Sequence, residues 1–205
     1  PLRIGYDRKW GFLLTHKIKD EKHLALKHEV EYNLGLVALT GAFTHNLKLG
    51  LKSAPDYLFP ETLKGVNFIA IHPWTSDPVK QWPVERFKEL AQRIGRELGL
   101  IVVLVGSSKD ILAGDEGVIN LINKTSLPEL SAVLKRASLL VSGDSGPIHL
   151  AAAVGTPVVA LFRNDLPGKT AKRWGPWGEG HIIIEKNKLE DISVDEVLNA
   201  VRRKI

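Results

Sequence analysis

The sequence predicts an α/β fold, a Rossmann-like parallel sheet with helices on both faces. Residues 139–141 and 158–162 are short, continuous apolar runs with the pattern of strands covered on both sides, and 67–71 and 100–105 read as further strands. Segments of helical periodicity separate these runs, and that alternation builds βαβ units. Polar and small residues gather in the loops that follow the strands, at 72–82, 106–110 and 142–149. In open parallel sheets, ligands bind beyond the carboxyl ends of the strands.

The first 50 residues lack this regularity. Residues 2–6 and 11–15 are expected as short strands, followed by a charged loop at 17–22. Residues 28–42 then carry Val30, Leu34, Val37 and Leu39 at helical spacing, with Gly41 and His45-Asn46 as the stop. Residues 48–64, with two prolines and scattered charge, read as a connecting segment. The regular part follows: a strand at 67–71, a helix at 83–98, a strand at 100–105, then the loop 106–110 leading into a helix. A short strand is expected at 118–122 and a helix at 128–136, with Pro128 in its first turn. Residues 140–162 read as strand, Gly-rich turn, short helix and second strand. A loop rich in Pro, Gly and Trp precedes a strand at 181–184 and an amphipathic helix at 194–203.

With 205 residues and 44% hydrophobic content, the chain can bury a core of one domain or one and a half. A net charge of +5 suits an anionic partner without choosing its kind. The absence of Cys rules out disulfides and thiolate metal sites. No apolar stretch reaches the roughly 18 residues of a membrane span, and no signal peptide is visible. There is no Met, and Pro1 runs straight into an expected strand. The sequence therefore reads as beginning partway through a longer protein, with removal of an initiator Met before Pro as the alternative.

The turn at 142–149 is the richest in chemistry. Asp144, Ser145, Gly146 and His149 fall where a helix N-terminus presents free backbone N–H groups, a setting that favours an anion such as a nucleotide diphosphate. A capped helix start, with Asp144 or Ser145 as N-cap and Pro147 in the first turn, is the plainer reading and leaves His149 unexplained. The letters Gly-Asp-Ser-Gly-Pro also occur around the serine of trypsin-like proteases, an all-β and usually disulfide-rich class that this chain does not fit. A hydrolase elbow would need Gly at position 147.

Upstream, His72-Pro-Trp-Thr-Ser-Asp-Pro-Val-Lys-Gln-Trp-Pro83 offers the hydroxyls of Thr75 and Ser76 and the compact cation of Lys80, all suited to phosphate oxygens. A solvated loop lysine is the alternative for Lys80, and helix-end packing for Trp82. Gly168-Lys169-Thr170 matches the end of a P-loop, but Arg163 stands at its first Gly. No G-x-G-x-x-G follows a strand, so a nicotinamide or flavin enzyme is not expected. The seven His lack metal-ligand spacing, and no nucleic-acid motif is present.

Together these pieces resemble glycosyltransferase family 9, the ADP-heptose:lipopolysaccharide heptosyltransferases. The matching residues are His72-Pro73, Thr75-Ser76, Lys80-Gln-Trp-Pro83, Val103-Leu-Val-Gly106, the run 142–162 and Trp174-Gly-Pro-Trp-Gly178. The resemblance covers most of 66–205, and Arg3-Ile-Gly-Tyr6 with the 28–33 region fits the family's domain junction. It implies a two-domain GT-B architecture. Residues 1–50 would end the acceptor-side N-terminal domain and carry the interdomain helix, and 51–205 would form the C-terminal donor-binding domain.

The implied reaction is inverting transfer of heptose from ADP-heptose to a lipopolysaccharide inner-core acceptor. The ADP-sugar is a substrate, and neither a cofactor nor an obligatory metal is implied. The family's general base, an N-terminal aspartate, has no counterpart here, so the remaining N-terminal half would be a required partner. Thr75, Ser76 and Lys80 would hold the diphosphate, with backbone amides at Asp144, Ser145 and Gly146 completing the site. Lys80 and His149 would stabilise the leaving group. Asp110 would bind ribose, and Thr125 would lie near adenine. Residues 77–79 and Arg163 depart from the family pattern.

The acceptor implies a cytoplasmic enzyme at the periphery of the inner membrane, with no nucleic-acid partner. A GT-B enzyme using a UDP- or GDP-sugar and a non-catalytic nucleotide-binding module remain alternatives.

Overall fold

The computed structural model describes residues 1–51, 54–108 and 117–205. The N-terminal segment pairs β1 (Ile4–Asp7) with β2 (His16–Lys19) in parallel, with Ile4 opposite His16. This corrects the expected strand at 11–15 and loop at 17–22. Gly11–Leu13 instead form a one-turn 3-10 helix, and the strand lies where a loop was expected. Local apolarity was misleading: Phe12 and Leu13 are exposed, while the His-Lys-Ile-Lys strand is defined by pairing with β1, a non-local effect.

Helix α1 (Glu29–Ala38) starts where His28 and Glu31 form a reciprocal cap: His28 Nδ1 accepts from the Val30 N–H, and Glu31 accepts from the His28 N–H. It stops four residues short of the expected end, and Gly41 takes a left-handed φ of 81° just beyond.

The main sheet holds β3 (Phe68–His72), β4 (Ile101–Leu104), β5 (Val118–Asn120), β6 (Leu139–Gly143), β7 (Val158–Arg163) and β8 (Ile182–Lys186). All run parallel, in the order β5-β4-β3-β6-β7-β8. Successive side chains alternate between two cores. Ile69, Ile71, Val102, Leu104, Val141 and Leu161 pack on the face covered by α2 (Val84–Leu98) and α6 (Val194–Arg202). Phe68, Ala70, Val103, Leu140, Ala160 and Phe162 pack on the opposite face, under α3 (Leu127–Arg136) and α4 (Gly146–Val154). Burial on both faces explains why the strands read as continuous apolar runs. A single-turn helix, α5 (Ala171–Trp174), lies in the loop between β7 and β8.

Two connections run outward from β3 to β5 and two run the other way from β6 to β8. The direction in which successive strands are added thus reverses between β3 and β6, the topological switch point where such sheets bind ligands. Among the described residues, no helix is long and apolar enough to cross a membrane.

Candidate functional site

At the switch point, His72 and Ser142 are register partners at the ends of β3 and β6. The Ser142 hydroxyl donates to the Gly143 carbonyl at 3.0 Å, which leaves His72 Nδ1–H to donate to Ser142 Oγ, also at 3.0 Å. The imidazole lies against Gly106, whose φ is +116°. A Cβ at that position would sit 2.7 Å from His72 Nε2 and closer still to Cδ2. Glycine is thus required there for both its backbone angle and its lack of a side chain.

Burial pushes the His72 pKa down to about 4, so the ring is neutral at pH 7. The folded value lies below the unfolded one, near 6.5, so the unfolded chain takes up a proton first as pH falls. This stabilisation is complete above about pH 6.5 and is lost on the way down to pH 4, about 3 kcal/mol in all. In urea unfolding at pH 7 and pH 4.5, wild type is expected to lose about 2 kcal/mol more stability than His72→Gln. Equal losses would show that His72 is not the titrating group.

The loop between β3 and α2 is folded by its own side chains. Gln81 accepts from the Thr75 N–H at 3.0 Å and donates to the Pro73 and Trp82 carbonyls, both at 2.6 Å. Asp77 accepts from the Val79 N–H and caps a single 3-10 turn, Pro78–Lys80. Trp82 is fully buried and donates to the Ile192 carbonyl at 3.0 Å, which makes it a packing residue. The loop lies close to the β6–α4 turn: a Cβ on Gly143 would be 3.3 Å from the Lys80 carbonyl. Across that approach, Lys80 Nζ meets Asp144 Oδ2 at 2.5 Å, with side chains only 21% and 10% exposed.

Asp144 is therefore engaged by Lys80. Ser145 occupies the N-cap position of α4 but makes no side-chain cap hydrogen bond. The capped-start reading thus holds in position, with Ser145 at the N-cap and Pro147 in the first turn, but without the side-chain hydrogen bond of a cap. His149 lies one turn into α4. Burial holds its pKa below the ordinary value; Asp144 opposes that, while His28 and Lys80 add to it. His28 comes from the N-terminal segment. With its Nδ1 accepting at the cap, its Nε2–H donates to the Gly175 carbonyl at 2.9 Å.

The structure puts Thr75, Ser76 and Lys80 on the loop after β3, Asp144 and Ser145 on the turn after β6, and Gly146 and His149 in the first turn of α4. Thr75 Oγ1 accepts from the Asp77 N–H at 3.3 Å, and Ser76 is exposed beside it. Thr125 lies after β5, half-buried, just before the Ser126 cap of α3. Asn123, two residues earlier, ties this turn to the β4 loop by donating from its backbone to Gly106 and pairing with Ser108. Asp110 lies outside the described residues. Arg163, where the family pattern has Gly, pairs with Asp165 at 2.6 Å and donates to the Val79 carbonyl at 3.4 Å.

The sequence reading missed a second cluster. Arg173 Nε meets Glu29 at 2.9 Å, and its Nη1 donates to the Lys22 and Gly168 carbonyls at 3.0 and 3.2 Å. Lys22 Nζ pairs with the same carboxylate. Burial pushes the Glu29 carboxyl up, but hydrogen bonds from Lys22 and Arg173 bring it below its ordinary value.

An open parallel sheet of this strand order, with a lysine–aspartate pair and a helix N-terminus at its switch point, has the architecture of nucleotide-binding α/β proteins. Residues 1–198 match glycosyltransferase family 9 (heptosyltransferase), and the chain belongs to that family. It is 32% identical over 126 residues to lipopolysaccharide heptosyltransferase 3 of Escherichia coli K12, a match covering 57% of this chain and 35% of that protein. A glycosyl transferase family 9 structure from Veillonella parvula superposes with a TM-score of 0.82 at 22% identity, covering 99% of this chain and 67% of that one. The E. coli ADP-heptose lps heptosyltransferase II gives 0.78 at 23% identity, covering 99% and 69%. The chain thus matches about a third of its curated relative and about two thirds of each solved structure.

Proposed function

We propose that this chain carries the donor-binding part of an inverting heptosyltransferase that moves heptose from ADP-heptose to a lipopolysaccharide inner-core acceptor. The observation that carries the reading is the Lys80–Asp144 pair at the start of α4, on the switch point of the sheet. Lys80, the hydroxyls of Thr75 and Ser76 and the amides around Ser145 and Gly146 form a cradle for a diphosphate. As the sugar–phosphate bond breaks, negative charge grows on the leaving diphosphate. In this reading Lys80 and an N–H of His149 stabilise it. His149 is held towards its neutral form at rest, and an arriving diphosphate favours its protonation. Asp110 is assigned to ribose and Thr125 to the adenine side. No step in this scheme uses a metal.

Residues 1–50 are read as the end of the acceptor-side domain and 51–205 as the donor domain. A two-stranded parallel sheet with Leu2, Trp10, Phe12 and Leu13 exposed presents an apolar surface that suits further N-terminal structure. That structure would supply the general base. The acceptor and the +5 charge favour a place at the cytoplasmic face of the inner membrane.

Calorimetric titration with ADP, UDP and GDP tests the donor assignment. ADP is expected to bind at least tenfold more tightly than the other two. A preference for UDP or GDP would replace the donor, and no binding of any nucleotide would overturn the site.

A further inference from the structure

A cavity of about 390 Å³ is lined by residues of the N-terminal segment and of the donor half, Lys80 among them. Its wall presents Arg8, Lys22, Lys80, Lys169 and Arg173; Asp20 is the one carboxylate among the lining residues, and Lys80 is paired with Asp144 from outside it. Arg8 is neutralised by Asp20. Lys22 and Arg173, with 9% and 14% of their side chains exposed, share the one carboxylate of Glu29 and so leave a net positive charge out of water. The rings of Tyr6 and Tyr32 face Lys22 Nζ at 4.5 and 5.6 Å, and Trp174 faces Arg173 at 4.7 Å. Such contacts offset only part of the cost of a desolvated cation. Lys169 adds a half-exposed ammonium, 3.4 Å from Asp77. The volume is more than ten times that of one water, about 30 Å³. It can hold a phosphate together with part of the molecule bearing it.

We propose that this cavity binds a phosphate group of a ligand seated next to the donor diphosphate at Lys80. Its place beside a diphosphate rests on the donor-site reading above; the anion site itself rests on the cavity. Lys22 and Arg173, 151 residues apart in sequence, converge on it together with Lys169. The cavity is thus built only when the N-terminal segment docks on the β7–β8 loop.

The test is titration of the chain with inorganic phosphate, alone and saturated with ADP. Phosphate is expected to bind the ADP-saturated chain, and Lys169→Glu is expected to weaken it about tenfold. Lys64→Glu makes the same charge change near the amino end of β3 and is expected to stay within twofold. Binding of phosphate only by displacing ADP would overturn the proposal, because the ion would then occupy the diphosphate site. Equal effects of the two substitutions would overturn it as well. Lys169-dependent phosphate binding in a chain that ignores ADP would keep the anion cavity and overturn the donor site.

Discussion

Lys80→Ala is expected to weaken ADP binding by about two orders of magnitude. Lys80 reaches the β6–α4 turn from a loop locked by Gln81, so its charge is fixed in place before a ligand arrives. Removing one partner of a desolvated charge pair costs about 2–5 kcal/mol, and each 1.4 kcal/mol is about tenfold in affinity. The loss has two parts. One is the missing contact to phosphate; the other is the Asp144 carboxylate, only 10% exposed, left to repel the diphosphate. The double variant Lys80→Ala/Asp144→Ala is therefore expected to recover about tenfold of the lost affinity. Calorimetry with ADP reads both. If Lys80→Ala binds ADP within threefold of wild type, the diphosphate does not sit at this pair.

Much of this arrangement was legible in the sequence because it is local. The four central strands are buried on both faces, so their apolar runs are unbroken and easy to read. The turn at 142–149 and the loop at 72–82 announce themselves as polar and small residues at strand ends. What escaped was set by distance along the chain. Strand β2 exists because β1 pairs with it, and its four residues hold only one apolar side chain. Arg173 meets Glu29 and Lys22 across 144 and 151 residues, a contact that no spacing rule anticipates. His72 was read as the first residue of the loop at 72–82 and as part of a matching dipeptide. Its partner, Ser142, becomes visible when β3 and β6 lie side by side.

The second large effect is expected at Gly106. Gly106→Ala places a methyl group against the His72 ring and forces alanine to a φ of +116°. The backbone angle costs roughly 1–3 kcal/mol, and crowding a buried ring costs a similar amount. Urea unfolding is expected to show a combined loss of about 3–4 kcal/mol. The two parts separate in a double-mutant cycle. In a His72→Ala background the ring is absent, so Gly106→Ala retains only its backbone cost, and the two substitutions together fall short of additivity by about 2 kcal/mol. Additive losses would mean that the turn after β4 and the ring after β3 do not constrain each other. The same coupling bears on binding. His72 donates to Ser142, Ser142 donates to Gly143, and Asp144 follows. A ring displaced by a methyl at position 106 is therefore expected to disturb the turn that meets Lys80. Gly106→Ala should lower ADP affinity even where the protein remains folded, whereas a binding loss that merely tracks the unfolded fraction would confine the glycine to stability.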